Sequence, residues 1–525
     1  MLNLFKKNSF YEINHLANAY LASLMIVTAN LIVLFFYNLG EINAYEFIYS
    51  FFEISLIIGI ILLLAFNFSK RIILFFPFGV LLNFQFLNIY NPLNFYYGVE
   101  ASYIVFLIFF IWILSVIFLF NFNKKNLTNL NYILAIFIFF GALVQSSLIN
   151  NASKSPPISR DTFFESSSSK NIQMTKLNNN NLPNIIYIIP DRYGGISQLR
   201  DHYNFSNSNF YDQLNDRGFV LGENSFSNYP STYSSLASTL NGSYINSFNM
   251  NINKSASYKY IKNSTAFKTA KLLGYEIYNI DNWWKGSQNM KIADKNFYNN
   301  SLISQTTLSL LSITPTFKIF NSNLGLSSRE FSCDFAMKTY SEVEKLANSK
   351  KQGLFLFVHL MAPHEPYLFD ENGICFKDRG LSKQDILIND DLSMLDRETS
   401  SKNYISFLKF INYQLVRIFD AIQEKNDHFF FIIQSDEGPY PACIYQRKTC
   451  TPDENNLKSS IINGFYYSRD HDINKDMLKS PINNFNHIFN LIADVNQKEK
   501  PHLKFINKEN IFIDSKKNFL FEEIE

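Results

Sequence analysis

Apolar stretches of two different lengths divide the chain. Five segments, 17–39, 47–66, 72–90, 103–122 and 132–149, run almost free of charge. Each is near the roughly 20 residues that a helix needs to cross a bilayer, so residues 1–150 are expected to form an N-terminal α-helical membrane bundle of five transmembrane helices. Polar residues inside these segments, Asn30, Glu53, Asn83 and Gln85, either line a lipid-facing groove or hydrogen-bond between helices. At 151–182 the composition shifts to Asn, Ser, Lys and Pro, with serine at 166–169 and asparagine at 178–181, as in a flexible linker. Residues 183–525 then form a part large enough to have a core of its own.

In that part the apolar runs are short and alternate with helical patterns. NIIYIIP (184–190), GLFLFVHL (353–360) and FFFIIQ (429–434) read as strands buried on both faces, with shorter strands at 219–221 and 276–280. Helices are expected at 210–217, 266–273 and 404–424, and YPSTYSSLASTL (229–240) reads as a loop entering a helix capped by Ser or Thr. Such alternation predicts an α/β domain with a mostly parallel sheet flanked by helices. In sheets of this kind, ligands gather beyond the carboxyl ends of the strands.

Charge placement sets an orientation. Lys6 and Lys7 precede the first apolar segment, Lys70 and Arg71 follow the second, and Lys124 and Lys125 precede the fifth. The other two connections carry Glu41, Glu46 and Glu100 without a Lys or Arg. By the positive-inside rule the N-terminus is cytoplasmic and everything after residue 150 lies outside. With 47 Lys+Arg against 45 Asp+Glu, the chain lacks the strongly basic balance that a nucleic-acid partner would require. Its four cysteines are too few for a disulfide scaffold. An oxidising compartment admits the pairs Cys333–Cys375 and Cys443–Cys450, and sequence alone leaves the connectivity open.

Several polar residues follow the expected strands directly. Asp191 ends the first, Ser435-Asp436-Glu437-Gly438 ends the run at 429–434, and the strand at 353–360 carries His359, with His364 five residues on. Ser231, Thr232, Ser234 and Ser235 cluster where a helix is expected to begin. Taken singly, these are ordinary caps, turn formers and loop residues. Together they offer carboxylates and imidazoles for a divalent metal beside a hydroxyl that coordination can ionise into a nucleophile.

The order of PNIIYIIPDRYGG, NYPSTYSSLASTLN, FVHLMAPHEPY and IIQSDEGPYP resembles the sulfatase-like proteins of the alkaline phosphatase superfamily. More narrowly, it resembles their bacterial inner-membrane branch, related to lipoteichoic acid synthases and phosphoethanolamine transferases. The resemblance spans roughly residues 183–500 and implies an extracytoplasmic sulfatase-like catalytic domain at 183–525. It implies Asp191, Thr232, Asp436 and Glu437 as metal ligands, Thr232 also as nucleophile, and His364, His359 and Arg192 on the substrate side. Two positions depart from the family pattern. Glu437 stands where the family commonly has His, and a further carboxylate favours Mn²⁺, Mg²⁺ or Ca²⁺ over Zn²⁺. Arg192 stands where Gly is frequent, either contacting an anionic substrate or pairing with a carboxylate.

No Cys/Ser-x-Pro-x-Arg motif surrounds Thr232, which counts against sulfate-ester hydrolysis. The expected activity is therefore metal-dependent phosphoryl transfer or phosphoester hydrolysis on an envelope lipid or lipid-linked glycan, at a bacterial inner membrane. The competing expectation is a catalytically retired relative that uses the pocket to bind a ligand or glycan as part of an envelope assembly.

Overall fold

The structure, a computed structural model, describes residues 5–37, 44–68, 72–84, 107, 110–114, 124–152, 164, 182–245, 254–280, 282, 284–297, 305–312, 314, 328–347, 349, 352–365, 367–376, 397–440, 457–469, 473–493, 499–507 and 519–523. The chain forms two compact units. One comprises Met1–Ser155, Ser301–Ser328 and Asp378–Asn389; the other comprises Pro156–Asn300, Arg329–Lys377 and Asp390–Glu525. The segment Ser301–Ser328, placed by the apolar pattern in the second part, thus belongs to the first unit.

In the first unit, the helices Phe5–Tyr37, Ala44–Phe68 and Lys124–Ala152 contain Ile13–Phe36, Tyr45–Phe66 and Asn126–Ser147, three stretches long and apolar enough to cross a membrane. The third expected segment begins as the 3₁₀ turn Ile72–Phe75 and the helix Phe76–Phe84, and part of the fourth is helical at 110–114. The rest of both lies outside the described residues, so the structure supplies three helices of spanning length against the five expected.

Polar side chains in this unit have defined partners. Asn131 Nδ2 donates to the Leu74 carbonyl at 2.7 Å and the Tyr132 hydroxyl to Asn18 Oδ1 at 2.7 Å. Asn30 and Asn83 instead donate within their own helices, to the carbonyls of Ile26 at 2.8 Å and Gly79 at 2.9 Å. Glu53 accepts from Thr307 Oγ1 at 2.6 Å, and Gln85 lies outside the described residues.

The second unit is built on a seven-stranded sheet. Its strands are β1 (Asn184–Pro190), β2 (Val220–Leu221), β3 (Glu276–Ile280), β4 (Lys295–Phe297), β5 (Leu354–Leu360), β6 (Phe429–Gln434) and β7 (Asn463–Tyr467), in the order β2-β7-β6-β1-β5-β3-β4. From β6 to β4 every pairing is parallel, while β7 runs antiparallel to both β6 and β2. Alternate residues of β1 enter opposite layers. Ile186 and Ile188 pack with Phe407, Leu415 and Ile418 of the helix Arg397–Lys425. Ile185, Tyr187 and Ile189 pack with Leu236 and Leu240 of the helix Thr232–Asn241 and with Phe485 of the helix Asn484–Ala493. Burial on both faces is the reason these runs read as apolar throughout.

The helix Thr265–Leu273 shows why the boundaries were legible. The Ser264 side chain accepts from the Phe267 amide at its start, and Gly274 ends it at φ 102°, a conformation that costs glycine little. A disulfide joins Cys333, on the helix Ser328–Ala347, to Cys375, and the pair Cys443–Cys450 lies outside the described residues.

Candidate functional site

Three adjacent parallel strands end together. In the register Ile189 faces His359 on β5, and Ile188 faces Ile433 on β6. Asp191 directly follows β1, with its amide donating to the Leu360 carbonyl at 3.0 Å, and Asp436 lies two residues beyond β6. As a result, one ligand atom from each of Asp191, His359 and Asp436 falls within 4.8 Å of the others, all three side chains being buried. His359 Nε2 is 3.5 Å from Asp191 Oδ2.

Asp191 Oδ1, His359 Nε2 and Asp436 Oδ2 are buried without a hydrogen-bond partner, an arrangement that is costly unless something else compensates them. Burial, aided by the Glu437 charge, holds the Asp191 carboxyl well above its ordinary range. Asp436 is pushed up to about 8 by burial and by the Asp191 and Glu437 charges. Burial lowers His359 to about 4, which keeps its imidazole neutral. Two crowded carboxylates and a neutral imidazole with unused lone pairs are an O,O,N donor set suited to a divalent cation, so these residues fit the metal that the sequence pattern implies.

His359 is fixed from behind. Asn282 Nδ2 donates to the His359 carbonyl at 2.7 Å, Ser287 Oγ lies 3.4 Å from Nδ1, and the Trp284 ring meets the imidazole edge-on at a centroid distance of 5.0 Å. Asn282 Oδ1 in turn accepts from the Ser287 hydroxyl at 3.0 Å. Anchoring Nδ1 in this way turns Nε2 toward Asp191, as supporting contacts do for metal-binding histidines.

Thr232 is the first residue of the helix Thr232–Asn241, behind Ser231 as an extended N-cap. Its side chain lies near the Asp436 carboxyl, whose raised pKa it moderates. Ser234 and Ser235 are fully buried, whereas Ser231 and Thr232 are partly exposed. A helix N-terminus also favours negative charge in front of it.

Glu437 lies near the two aspartates, whose pKa values its charge raises, and its buried Oε2 also has no hydrogen-bond partner, but it is not among the ligand atoms that fall within 4.8 Å of one another. Its carboxylate lies 3.5 Å from Lys458 Nζ and 3.5 Å from Arg192 Nε. Arg192 also pairs with Glu365 and stacks 3.6 Å from the centroid of the Tyr440 ring, with Lys458 Nζ 4.1 Å from the same centroid. Arg192 holds φ 63°, the left-handed region that glycine adopts more readily than other residues. Burial works against the Lys458 ammonium, but the Glu437 charge and Tyr440 outweigh it and hold its pKa above the ordinary lysine value. His364 sits beside Glu365, and burial and the Arg192 charge lower it to about 4.

Lys458, Glu365 and Tyr440 escaped the sequence reading. Glu365 and Tyr440 stood within the quoted motifs without being singled out. Lys458 lies in a polar stretch with no motif to mark it; Gly438 brings it in. A Cβ at Gly438 would run into the carbonyls of Leu457 and Ser460, so only glycine lets that segment close on the turn, where the Gly438 amide donates to the Lys458 carbonyl at 2.8 Å.

The sulfatase family model matches residues 183–477, and the chain belongs to the sulfatase family, within the alkaline phosphatase superfamily of enzymes. No curated protein shows a significant match. Among solved structures, the C-terminal periplasmic domain of EcEptC from Escherichia coli is similar at 15% identity and a TM-score of 0.43, over 67% of this chain and 95% of that one. The same domain in complex with Zn gives 15% and 0.42, over 66% and 95%. The integral membrane protein lipooligosaccharide phosphoethanolamine transferase A (EptA) from Neisseria meningitidis gives 11% and 0.39, over 92% and 96%.

Proposed function

We propose that the protein is a metal-dependent phosphotransferase or phosphoesterase that modifies an envelope lipid or lipid-linked glycan, with Thr232 as its nucleophile. The observation carrying this reading is the group of Asp191, His359 and Asp436, with one ligand atom from each within 4.8 Å of the others and buried polar atoms that have no hydrogen-bond partner, near Thr232 at a helix N-terminus. Asp191, His359 and Asp436 would hold the cation, with Thr232 near Asp436. A divalent ion there, Mn²⁺, Mg²⁺, Ca²⁺ or Zn²⁺, supplies positive charge that eases ionisation of the hydroxyl and offsets phosphoryl charge.

Thr232 Oγ attacks phosphorus in line, forming an Oγ–P bond as the P–O bond to the departing alcohol breaks. An acceptor hydroxyl, or water, then takes the phosphoryl group and restores Thr232. Arg192, Lys458 and His364 bind the non-bridging oxygens, and Glu437 and Glu365 keep the two cations aimed. Without Glu437, two buried positive charges would face each other across Tyr440.

The membrane unit selects the substrate by proximity, because a catalytic unit joined to a bilayer meets lipid head groups at high effective concentration. Envelope lipids and glycans compared by mass spectrometry, from cells producing the wild-type chain and cells producing Thr232→Ala, should differ by one phosphoryl-linked group. Identical profiles would remove the envelope substrate.

The orientation carries its own prediction. Reporter fusions after Ile149 should behave as exported and fusions after Arg71 as cytoplasmic, following the Lys/Arg placement. A cytoplasmic result at 149 would deny the site access to the outer leaflet.

A further inference from the structure

Between Lys295 and Arg329, Lys318 is the single charged residue in a run of 33, where the chain average of 18% would put about six. That run leaves the sheet directly after β4 and returns at the helix Ser328–Ala347, and its described part, the helix Gln305–Ser312, packs in the first unit against the helix Ala44–Phe68. Leu310, 1% exposed, sits in an apolar cluster with Val27, Leu31, Ile54, Ile58 and Ile73. Thr307 donates to Glu53 at 2.6 Å.

Glu53 is eight residues into the apolar stretch Tyr45–Phe66, about 12 Å along the helix. A carboxylate at that depth is expensive and calls for a polar partner within the bundle. At eight residues the helix Gln305–Ser312 is by itself too short to cross a bilayer.

We infer that the helix Gln305–Ser312 is a second membrane attachment of the catalytic chain, seated in the bundle by Leu310 and latched by Thr307 to Glu53, so that the linker at 151–182 is not the only link between the two units. The flanking chain ties this attachment to the site. Upstream, Asn296 Oδ1 accepts from the Met290 amide at 2.9 Å, at the end of the loop whose Asn282 and Ser287 hold His359. Downstream, Cys333 is bonded to Cys375, at the end of the segment that begins with His364. The inference concerns attachment alone and does not depend on the reaction.

The test uses the full-length protein in membrane vesicles, with a specific protease site replacing serines 166–169. After cleavage and a high-salt wash, the C-terminal fragment should stay in the pellet. Leu310→Asp should raise the released fraction roughly tenfold or more, since it places a charge in the apolar cluster. An intact Cys333–Cys375 bond, checked by mass spectrometry, should show that the released unit remains folded. In the same cleaved vesicles, Glu53→Cys combined with Thr307→Cys should be joined by a short bis-maleimide into one species containing both fragments, well above either single variant. Quantitative release of the wild-type fragment, retention of the Leu310→Asp fragment, or no cross-linking above the single variants would each overturn the inference.

Discussion

Replacing Thr232 with Ala should lower turnover of a phospholipid or glycan donor by roughly a thousandfold or more and leave the fold intact, because a covalent route loses its attacking atom outright. The fold has little reason to change. Ser231, not Thr232, is the N-cap, and Ala is a good residue in a helix's first turn. Ser234→Ala is the matched control. Its hydroxyl is fully buried on the core side, so activity should stay within a few-fold of wild type. Wild-type turnover by Thr232→Ala would overturn the covalent mechanism, and loss on Ser234→Ala alone would move the nucleophile by two positions. Both variants are read by donor turnover, with thermal unfolding as the check on folding.

His359→Ala and Glu437→Gln should separate metal binding from substrate binding. His359 offers a buried, uncharged Nε2 to the same space as Asp191 and Asp436, so its removal should cut bound metal, measured on purified protein, by an order of magnitude or more. Glu437→Gln should keep its metal. It should instead lose stability, on the order of 3 kcal/mol, since Lys458 remains buried with its carboxylate gone. Turnover should fall mainly through a raised KM as Lys458 and Arg192 lose their common anchor. Adding Lys458→Met to Glu437→Gln should recover part of the lost stability, a coupling that unrelated sites would not show. Loss of metal on Glu437→Gln with retention on His359→Ala would reverse the two assignments.

The proposed roles of His359 and Glu437 differ from those the resemblance implies. Asp191 and Asp436 were expected as metal ligands and His359 on the substrate side, because strands buried on both faces leave polar residues conspicuous where they end. Which of the neighbours Asp436 and Glu437 faces the cluster is decided by a turn in which Gly438 admits the Leu457–Ser460 backbone, a long-range contact that no local pattern records. Lys458 was invisible for the same reason. β7 was missed because Asn463–Tyr467 begins with Asn and Gly and pairs antiparallel at the side of an otherwise parallel run, so it lacks the uniform apolar character of β1 and β6. In the membrane unit, span length alone identified three helices, whereas five of the eight residues of QTTLSLLS at 305–312 are Ser, Thr or Gln, and it carries no apolar signal strong enough to assign it there. The apparent oddity of Glu53 within a span was the visible half of a pair whose other half, Thr307, lies 254 residues away.

The most direct test of the central claim is the covalent state of Thr232 during turnover. Full-length protein loaded with divalent metal, mixed with donor-containing vesicles, quenched in acid and mapped by peptide mass spectrometry should carry a phosphoryl-linked mass increment on the peptide containing Thr232. The increment should vanish in Thr232→Ala and in Asp436→Asn. Continued turnover with no adduct on Thr232, or with the adduct on Ser231, Ser234 or Ser235, would contradict the account.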